Sequence, residues 1–344
     1  MKKFAAVTAA GLALVTGLSA CTSSKPAENV ASNTAADPNA PAATAAVVPD
    51  KAKKNYTVQF IQGVAGDEFY ISMQCGAQAE AAKLGVTLTT QGPQKFDPTL
   101  QKPILDSIVA AEPDAILIAP TDVTAMQAPL KAAAAAGIKV VLVDTSTEDP
   151  SYAAAAIASD NEGGGAAAFD AIKQLNPNGG KVMVMSTDPG ISTADARVKG
   201  FKDAAEADAK FTYLPVQYSH NDAATAANLI SAALQKDPDI VGVFAANLFT
   251  AEGTATGVRQ AGKTGSVKIV GFDAGPNQIK ALEEGTVNAL VAQQPGTIGA
   301  FGVDSAVAAL DGSTVNPKVQ TGFSTITKEN LATEGTKAAY QSTC

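Results

Sequence analysis

Residues 139–165 read KVVLVDTSTEDPSYAAAAIASDNEGGG, and the plan of the chain is visible in that stretch. Val140 to Val143 is a β-branched and leucine run without a polar interruption, the pattern of a strand buried on both faces. It stops at Asp144, a carboxylate at the strand's C-terminal end. In open α/β sheets that edge is where ligands sit. A turn-rich segment with Pro150 follows. Then comes a small apolar segment, Ala154 to Ala158, and Ser159-Asp160-Asn161 opens a helix. This is the expected first passage from one α/β lobe into a second.

The flanking sequence alternates strand and helix on both sides. Upstream, strands are expected over Tyr56 to Gln62, Val86 to Thr90 and Asp114 to Ala119. Helices are expected over Asp67 to Leu84, closed by Gly85, over Pro98 to Ala111, and from Pro120-Thr121-Asp122 to Ala136. Downstream, strands are expected over Lys181 to Met185, Phe211 to Gln217, Ile240 to Ala245, Val267 to Phe272 and Val287 to Ala292, again separated by helices. A second crossing is expected at Gln293-Gln294-Pro295 and a third near Thr321-Gly322. The expected fold class is α/β, with two doubly wound parallel-sheet lobes. The N-terminal lobe takes 56–158 and 294–321, the C-terminal lobe 159–293 and 322–332, and 333–344 is a tail.

A chain of 344 residues with 46% hydrophobic and 17% charged residues suits two globular lobes with large buried sheets. The net charge of −8 and the absence of a basic patch argue against a nucleic-acid partner. At the N-terminus, Lys2-Lys3, the apolar stretch Phe4 to Leu18 and the small residues up to Cys21 form a secretory signal, too short for a spanning helix. Leu18-Ser19-Ala20-Cys21 resembles a bacterial lipobox. That resemblance implies cleavage after residue 20, lipidation of Cys21 and a membrane anchor. Residues 21–55, rich in Ala, Pro, Ser, Thr and Asn, are expected to be a disordered tether reaching about 30 Å. Cys75 and Cys344 either form a disulfide or stay apart, as a buried thiol and an exposed end.

Several motifs fail on context. Gly257 to Thr264 matches P-loop spelling, but a helix precedes it and a strand follows, the reverse of what phosphate binding needs. Gly262 is better read as a helix stop. Gly163-Gly164-Gly165 lacks dinucleotide spacing and permits close packing at most. His220 is the only histidine, so no histidine metal cluster can be built. No metal, cofactor or enzymatic activity is expected. What recurs instead is a polar residue where a strand gives way to a loop: Gln62, Asp144, Thr187, Asn247, Asp273 and Gln293. Arg197 is one of only two arginines, against many lysines, which points to a need for planar, multi-donor geometry.

In these residues the region from about Tyr56 to Glu329 resembles the ribose-binding-protein-like family of type I periplasmic solute-binding proteins, which serve ABC importers. The matching stretches are Phe69-Tyr70 ahead of GAQAEAAKLG, DAILIAPTD (114–122), LVD ending at Asp144 and IASDN ending at Asn161. They continue with Arg197 before Lys199-Gly200-Phe201, VFAAN ending at Asn247, VGFDAGP (270–276) and AQQP (292–295). The resemblance implies Rossmann-like lobes, three hinge crossings and a sugar or polyol in the cleft. It also implies Phe69 and Tyr70 as an aromatic wall, Asp144 and Asp273 as hydroxyl acceptors, and Arg197, Asn247 and Gln293 completing the polar shell. Asp67 and Thr145 are further candidates that depart from the ribose-type pattern, which has Asn-Pro before the aromatic pair and an arginine after the first-lobe aspartate. Expected partners are a small polyhydroxylated solute, an ABC permease and, through the lipid, a membrane surface facing the extracytoplasmic space. The same fold binding a nucleoside or a signalling molecule for a sensor is the alternative.

Overall fold

The computed structural model describes residues 46–344. The expected signal peptide, Cys21 and most of the expected tether lie outside the described residues. The first lobe starts with β1 (Thr57–Ile61), α1 (Glu68–Leu84), β2 (Thr87–Gln91), α2 (Pro98–Ala110), β3 (Ala115–Ile118), α3 (Gln127–Ala135), β4 (Lys139–Val143) and β5 (Ala155–Ser159). The chain then crosses into α4 (Asn161–Leu175), β6 (Gly180–Ser186), α5 (Ser192–Glu206), β7 (Phe211–Tyr213), β8 (Gln217–Tyr218) and α6 (Ala223–Lys236). The second lobe continues with β9 (Ile240–Ala245), α7 (Leu248–Gln260), β10 (Lys268–Phe272), α8 (Pro276–Glu284) and β11 (Ala289–Ala292). Helix α9 (Pro295–Leu310) and β12 (Lys318–Thr321) return to the first lobe, and β13 (Ser324–Thr327) belongs to the second.

The first sheet runs β12-β5-β4-β3-β1-β2 and is parallel throughout. The second runs β13-β11-β10-β9-β6-β7, with β8 also paired to β6. Alternation along β4 shows why a continuous apolar run is needed. Val141 and Val143 pack into one core, while Val140 and Leu142 pack into another on the opposite face. A strand covered by helices on both sides has no position to spare for a polar residue. The three crossings therefore lie at Asp160, at Gln293–Gln294 and at Gly322–Phe323.

Four differences from the expected organisation appear, two of them with a cause in the local sequence. Ala154 to Ala158 is largely a sheet strand, β5, reached from β4 through a loop without a helix. Helix α3 starts at Gln127, because the Asp122 carboxylate takes the N–H groups of Thr124 and Ala125 (2.9 and 2.6 Å) and holds the intervening residues in turns. The expected strand from Phe211 to Gln217 is split at Leu214-Pro215-Val216, where Pro215 has no N–H for the ladder. The sheets are not both fully parallel, since β13 runs antiparallel to β11.

The described residues before β1 and the C-terminal segment are also more ordered than a tether and a tail. Ala52 donates to the Leu84 carbonyl (3.1 Å), and the Lys53 ammonium reaches the Asp311 carbonyl (2.8 Å). The segment before β1 is thus docked on the first lobe. At the other end Cys75 and Cys344 are joined in a disulfide.

Candidate functional site

The site is built on two equivalent aspartates. Asp144 follows β4 and Asp273 follows β10, and each has a left-handed backbone, with φ of 64° and 80°. Each donates its N–H to the neighbouring crossing strand, Asp144 to Ile157 O and Asp273 to Val291 O, both at 2.8 Å. Asp is among the few residues with side chains that tolerate this region. The kink turns both carboxylates off their sheets into the space between the lobes.

Arg197 comes from α5 and is buried. Its Nε donates to Asn161 Oδ1 (2.8 Å) and its Nη1 to Ala246 O (2.9 Å), while its Cζ lies 3.8 Å from the centre of the Phe272 ring. Two of the five guanidinium N–H donors are therefore spent inside the second lobe, which leaves three. Close helix packing makes this geometry possible. A Cβ on Gly165 of α4 would run into the Arg197 carbonyl, and one on Gly200 of α5 would run into the Glu162 carbonyl. The glycine run that precluded a dinucleotide site sets α4 against α5 and brings Arg197 within reach of Asn161.

The first lobe contributes the start of α1. Asp67 caps the helix by accepting from Phe69 N (2.8 Å). The Phe69 and Tyr70 rings stand edge to face, 5.1 Å apart, and the Tyr70 hydroxyl donates to Asp144 Oδ2 (2.7 Å). Burial pushes Asp144 up to about 6, although the Arg197 charge and the Tyr70 hydrogen bond pull the other way. Burial also raises Asp273, opposed first by Arg197 and then by its hydrogen bonds. Burial and the nearby Asp273 charge push Asp67 well above the usual carboxylate range. Asp144 and Asp273 share one guanidinium, and Asp67 beside them feels their charge, so the site keeps protons that exposed carboxylates would have lost.

These groups line one hollow of ≈ 50 Å³ between the lobes. It leads into a wider mouth of ≈ 770 Å³, with Phe96, Ile191 and Asn221 lining both. At the rim the lobes touch directly, through Val123 N to Gly190 O (3.1 Å) and Ser146 N to Ser192 Oγ (2.9 Å).

A model of the family described as periplasmic binding protein domain matches residues 58–314. The chain belongs to the periplasmic binding protein family. It is 33% identical over 290 residues to the ribose import binding protein of Escherichia coli (strain K12), a match covering 83% of this chain and 96% of that one. Among solved structures it resembles an ABC transporter solute-binding protein from Agrobacterium vitis bound with α-D-tagatopyranose. The identity there is 40%, the TM-score 0.81, and the coverage 83% of this chain and 99% of that one. A second Agrobacterium vitis solute-binding protein, with bound D-fucose, is 32% identical with a TM-score of 0.79, covering 83% of this chain and all of that one.

Within this periplasmic binding protein, the hollow brings together eight of the nine sequence candidates: Asp67, Phe69, Tyr70, Asp144, Arg197, Asn247, Asp273 and Gln293. Thr145 is the exception. It is buried, its hydroxyl donates to Pro120 O (2.7 Å), and it does not line the hollow. One residue past the kink, its side chain serves the fold of its own lobe. Asn247 caps α7 and also donates to Asn221 Oδ1 (2.6 Å), a residue not among the candidates. Thr187 lines the hollow with a buried hydroxyl that has no partner among the described residues, so it is a further polar group available to a ligand. Tyr340 was not anticipated at all. Its hydroxyl donates to Asp273 Oδ1 (3.0 Å), and Gln293 donates to the same carboxylate oxygen (2.7 Å). The available signal was the cysteine pair: a bond between Cys75 and Cys344 pins the tail, with its tyrosine, against α1.

Elsewhere the sequence readings meet their context. Gly262 has φ of 68° just past α7, as a helix stop requires, and Arg259 sits in that helix's last turn. His220 is exposed at the outer mouth and bonds to Asp188.

Proposed function

We propose that this chain captures a monosaccharide or a related polyol between its lobes and delivers it to an ABC permease without chemical change. The observation that carries this reading is the convergence of Asp144 and Asp273, one from each lobe, on a hollow that also holds Arg197 and the Phe69-Tyr70 pair. Carboxylates accept from sugar hydroxyls, the guanidinium donates to hydroxyl or ring oxygens, and aromatic faces cover C–H surfaces. Charge-assisted hydrogen bonds contribute about 1.5–3 kcal/mol each, so a few are enough for micromolar affinity at about −8 kcal/mol. A ligand touching both aspartates binds the closed arrangement better than the open one, and that difference drives closure. The small hollow favours a single ring over a nucleoside.

Asp67, Phe69, Tyr70, Arg197, Asn247 and Gln293 complete the proposed contact set, with Thr187 added. The proposed setting is extracytoplasmic, with the body held to a membrane through a lipidated Cys21. Replacing Cys21 with alanine should move the protein from the membrane to the soluble fraction. The test of ligand class is a thermal-shift panel of pentoses, hexoses, inositols and nucleosides, followed by calorimetry on the hits. A sugar or polyol should raise the melting temperature in proportion to occupancy. A response to nucleosides alone would overturn the reading.

A further inference from the structure

The segment after β13 crosses between the lobes once more. It starts on the second lobe, where a single π turn, Leu331–Gly335, follows Asn330. Asn330 is tied to β13, accepting from Thr327 N (2.8 Å) and donating to Thr325 O (3.0 Å). Tyr340 then donates its N–H to Ala274 O (2.9 Å), next to Asp273. One residue later the chain is on the first lobe, with Gln341 N bonded to Ser72 Oγ of α1 (2.7 Å) and Cys344 joined to Cys75 of the same helix. The Tyr340 ring is buried, with its centre 5.9 Å from that of Phe69. Its hydroxyl accepts from Gln293 N at the second crossing (3.0 Å) and donates to Asp273 Oδ1 (3.0 Å).

We propose that residues 331–344 form a fourth, covalent connection between the lobes, and that Tyr340 on it is a positioning residue for the Asp273 side of the cleft. The inference rests on the sugar-binding reading for its ligand and on the disulfide for its mechanics. From Tyr340 to Cys344 the chain can extend at most about 14 Å. While Tyr340 stays seated beside Asp273, α1 can move away from the second lobe only within that reach. One hydroxyl thus joins a ligand-facing acid to a hinge residue, so the aspartate of the second lobe is set by how the hinge and the tail lie. The other charged groups around Asp273 are Arg197, Asp67 and Asp144.

The test compares the wild-type protein, Tyr340→Phe and the double variant Cys75→Ser/Cys344→Ser, with D-tagatose, D-fucose and D-ribose as probes. Tyr340→Phe keeps the ring and removes the hydroxyl. It should weaken the best-bound sugar about tenfold. It should also move the acidic limb of the affinity–pH profile to higher pH, because Asp273 loses a donor that favours its charged form. A role limited to packing would not move that limb. The double variant, and wild-type protein treated with reductant, should show a larger radius of gyration by X-ray scattering in sugar-free solution. The proposal requires both results, so an unshifted limb in Tyr340→Phe or an unchanged radius after loss of the disulfide overturns it. If neither these sugars nor any sugar or polyol of the wider panel binds, the functional reading fails and the role given to Tyr340 falls with it, while the scattering comparison still decides the covalent connection.

Discussion

Asp144 and Asp273 stand at matching places in the two lobes, share a left-handed kink and share a backbone bond to the next strand, yet they are held differently. Asp144 takes its hydrogen bond from Tyr70, a residue of its own lobe. Asp273 takes its bonds from Gln293 at a crossing and from Tyr340 on the tail. The repeated α/β plan supplies the positions and the clamp on Asp144, and the unrepeated parts of the chain supply the clamps on Asp273. The first aspartate is therefore a fixture of its lobe, while the second follows the hinge. Both tyrosines have pKa values raised well above the ordinary, first by burial and next by the charge of the acid each serves, so both remain donors at any working pH.

The largest expected effect comes from removing the group the two acids share. Arg197→Ala leaves Asp144 and Asp273 buried without a cation, and breaking a buried pair costs about 3–5 kcal/mol. Sugar affinity by calorimetry should fall by a factor of roughly 100 to 1000. Arg197→Lys should not restore it, since an ammonium cannot serve Asn161, Ala246 and a ligand while lying flat on Phe272. Wild-type affinity in either variant would mean that the aspartates do not depend on a common partner. The next effect concerns the clamp that only Asp273 has. Breaking the Cys75–Cys344 bond frees a chain segment that closes a loop of 269 residues and should lower stability by about 2–4 kcal/mol, read as an earlier denaturant midpoint. A double-mutant cycle separates the clamps. Tyr70→Phe should couple to Asp144→Asn by at least about 0.5 kcal/mol and should be additive with Asp273→Asn.

The same contrast explains what was legible in the sequence. Strand ends were readable because a strand covered on both faces must be apolar until it leaves the sheet, so Asp144 and Asp273 stand out as the first polar residues. Arg197 was legible through its rarity. Thr145 was misplaced because a left-handed residue reverses the direction of the chain at Asp144, and sequence spacing cannot show which way the following side chain turns. Tyr340 and the docked residues before β1 lie outside the alternating pattern, where neither period nor caps give a signal. The pairing of Cys75 with Cys344 depends on a distance between helix α1 and the last residue, which composition does not contain.

A smaller effect, specific to the first-lobe acid, is expected in its response to pH. Asp144 has a folded-state pKa of about 6, above the ordinary value of ~3.9. The folded protein therefore holds this proton to higher pH than the unfolded chain does. Its contribution to stability is fully present below ~4 and is lost as pH rises to about 6. Affinity should run the other way across that window, because the charged carboxylate is the better hydroxyl acceptor. Asp144→Asn should make both curves less steep in melting and calorimetric titrations, the remaining slope belonging to Asp273 and Asp67. If stability and affinity rise together from pH 4 to 6, the acid that titrates is not the one that binds.

The smallest expected effect on binding, which is none, comes from a buried acid with no place in the cleft. Asp304 on α9 is buried, and its Oδ1 has no partner among the described residues. Burial, together with the Glu80 carboxylate beside it, raises its pKa to about 8. The folded state again holds the proton longer, so the stability tied to that proton is lost from ~4 upward and is gone above about 8. Asp304→Asn should thus melt later than wild type at pH 8 and together with it at pH 4, with sugar affinity unchanged at either pH. The two acids share the same burial logic, but only Asp144 lines the hollow. A change in affinity in Asp304→Asn would mean that pH acts on binding through the stability of the first lobe as a whole, and the opposed curves expected for Asp144 could then no longer be assigned to the cleft.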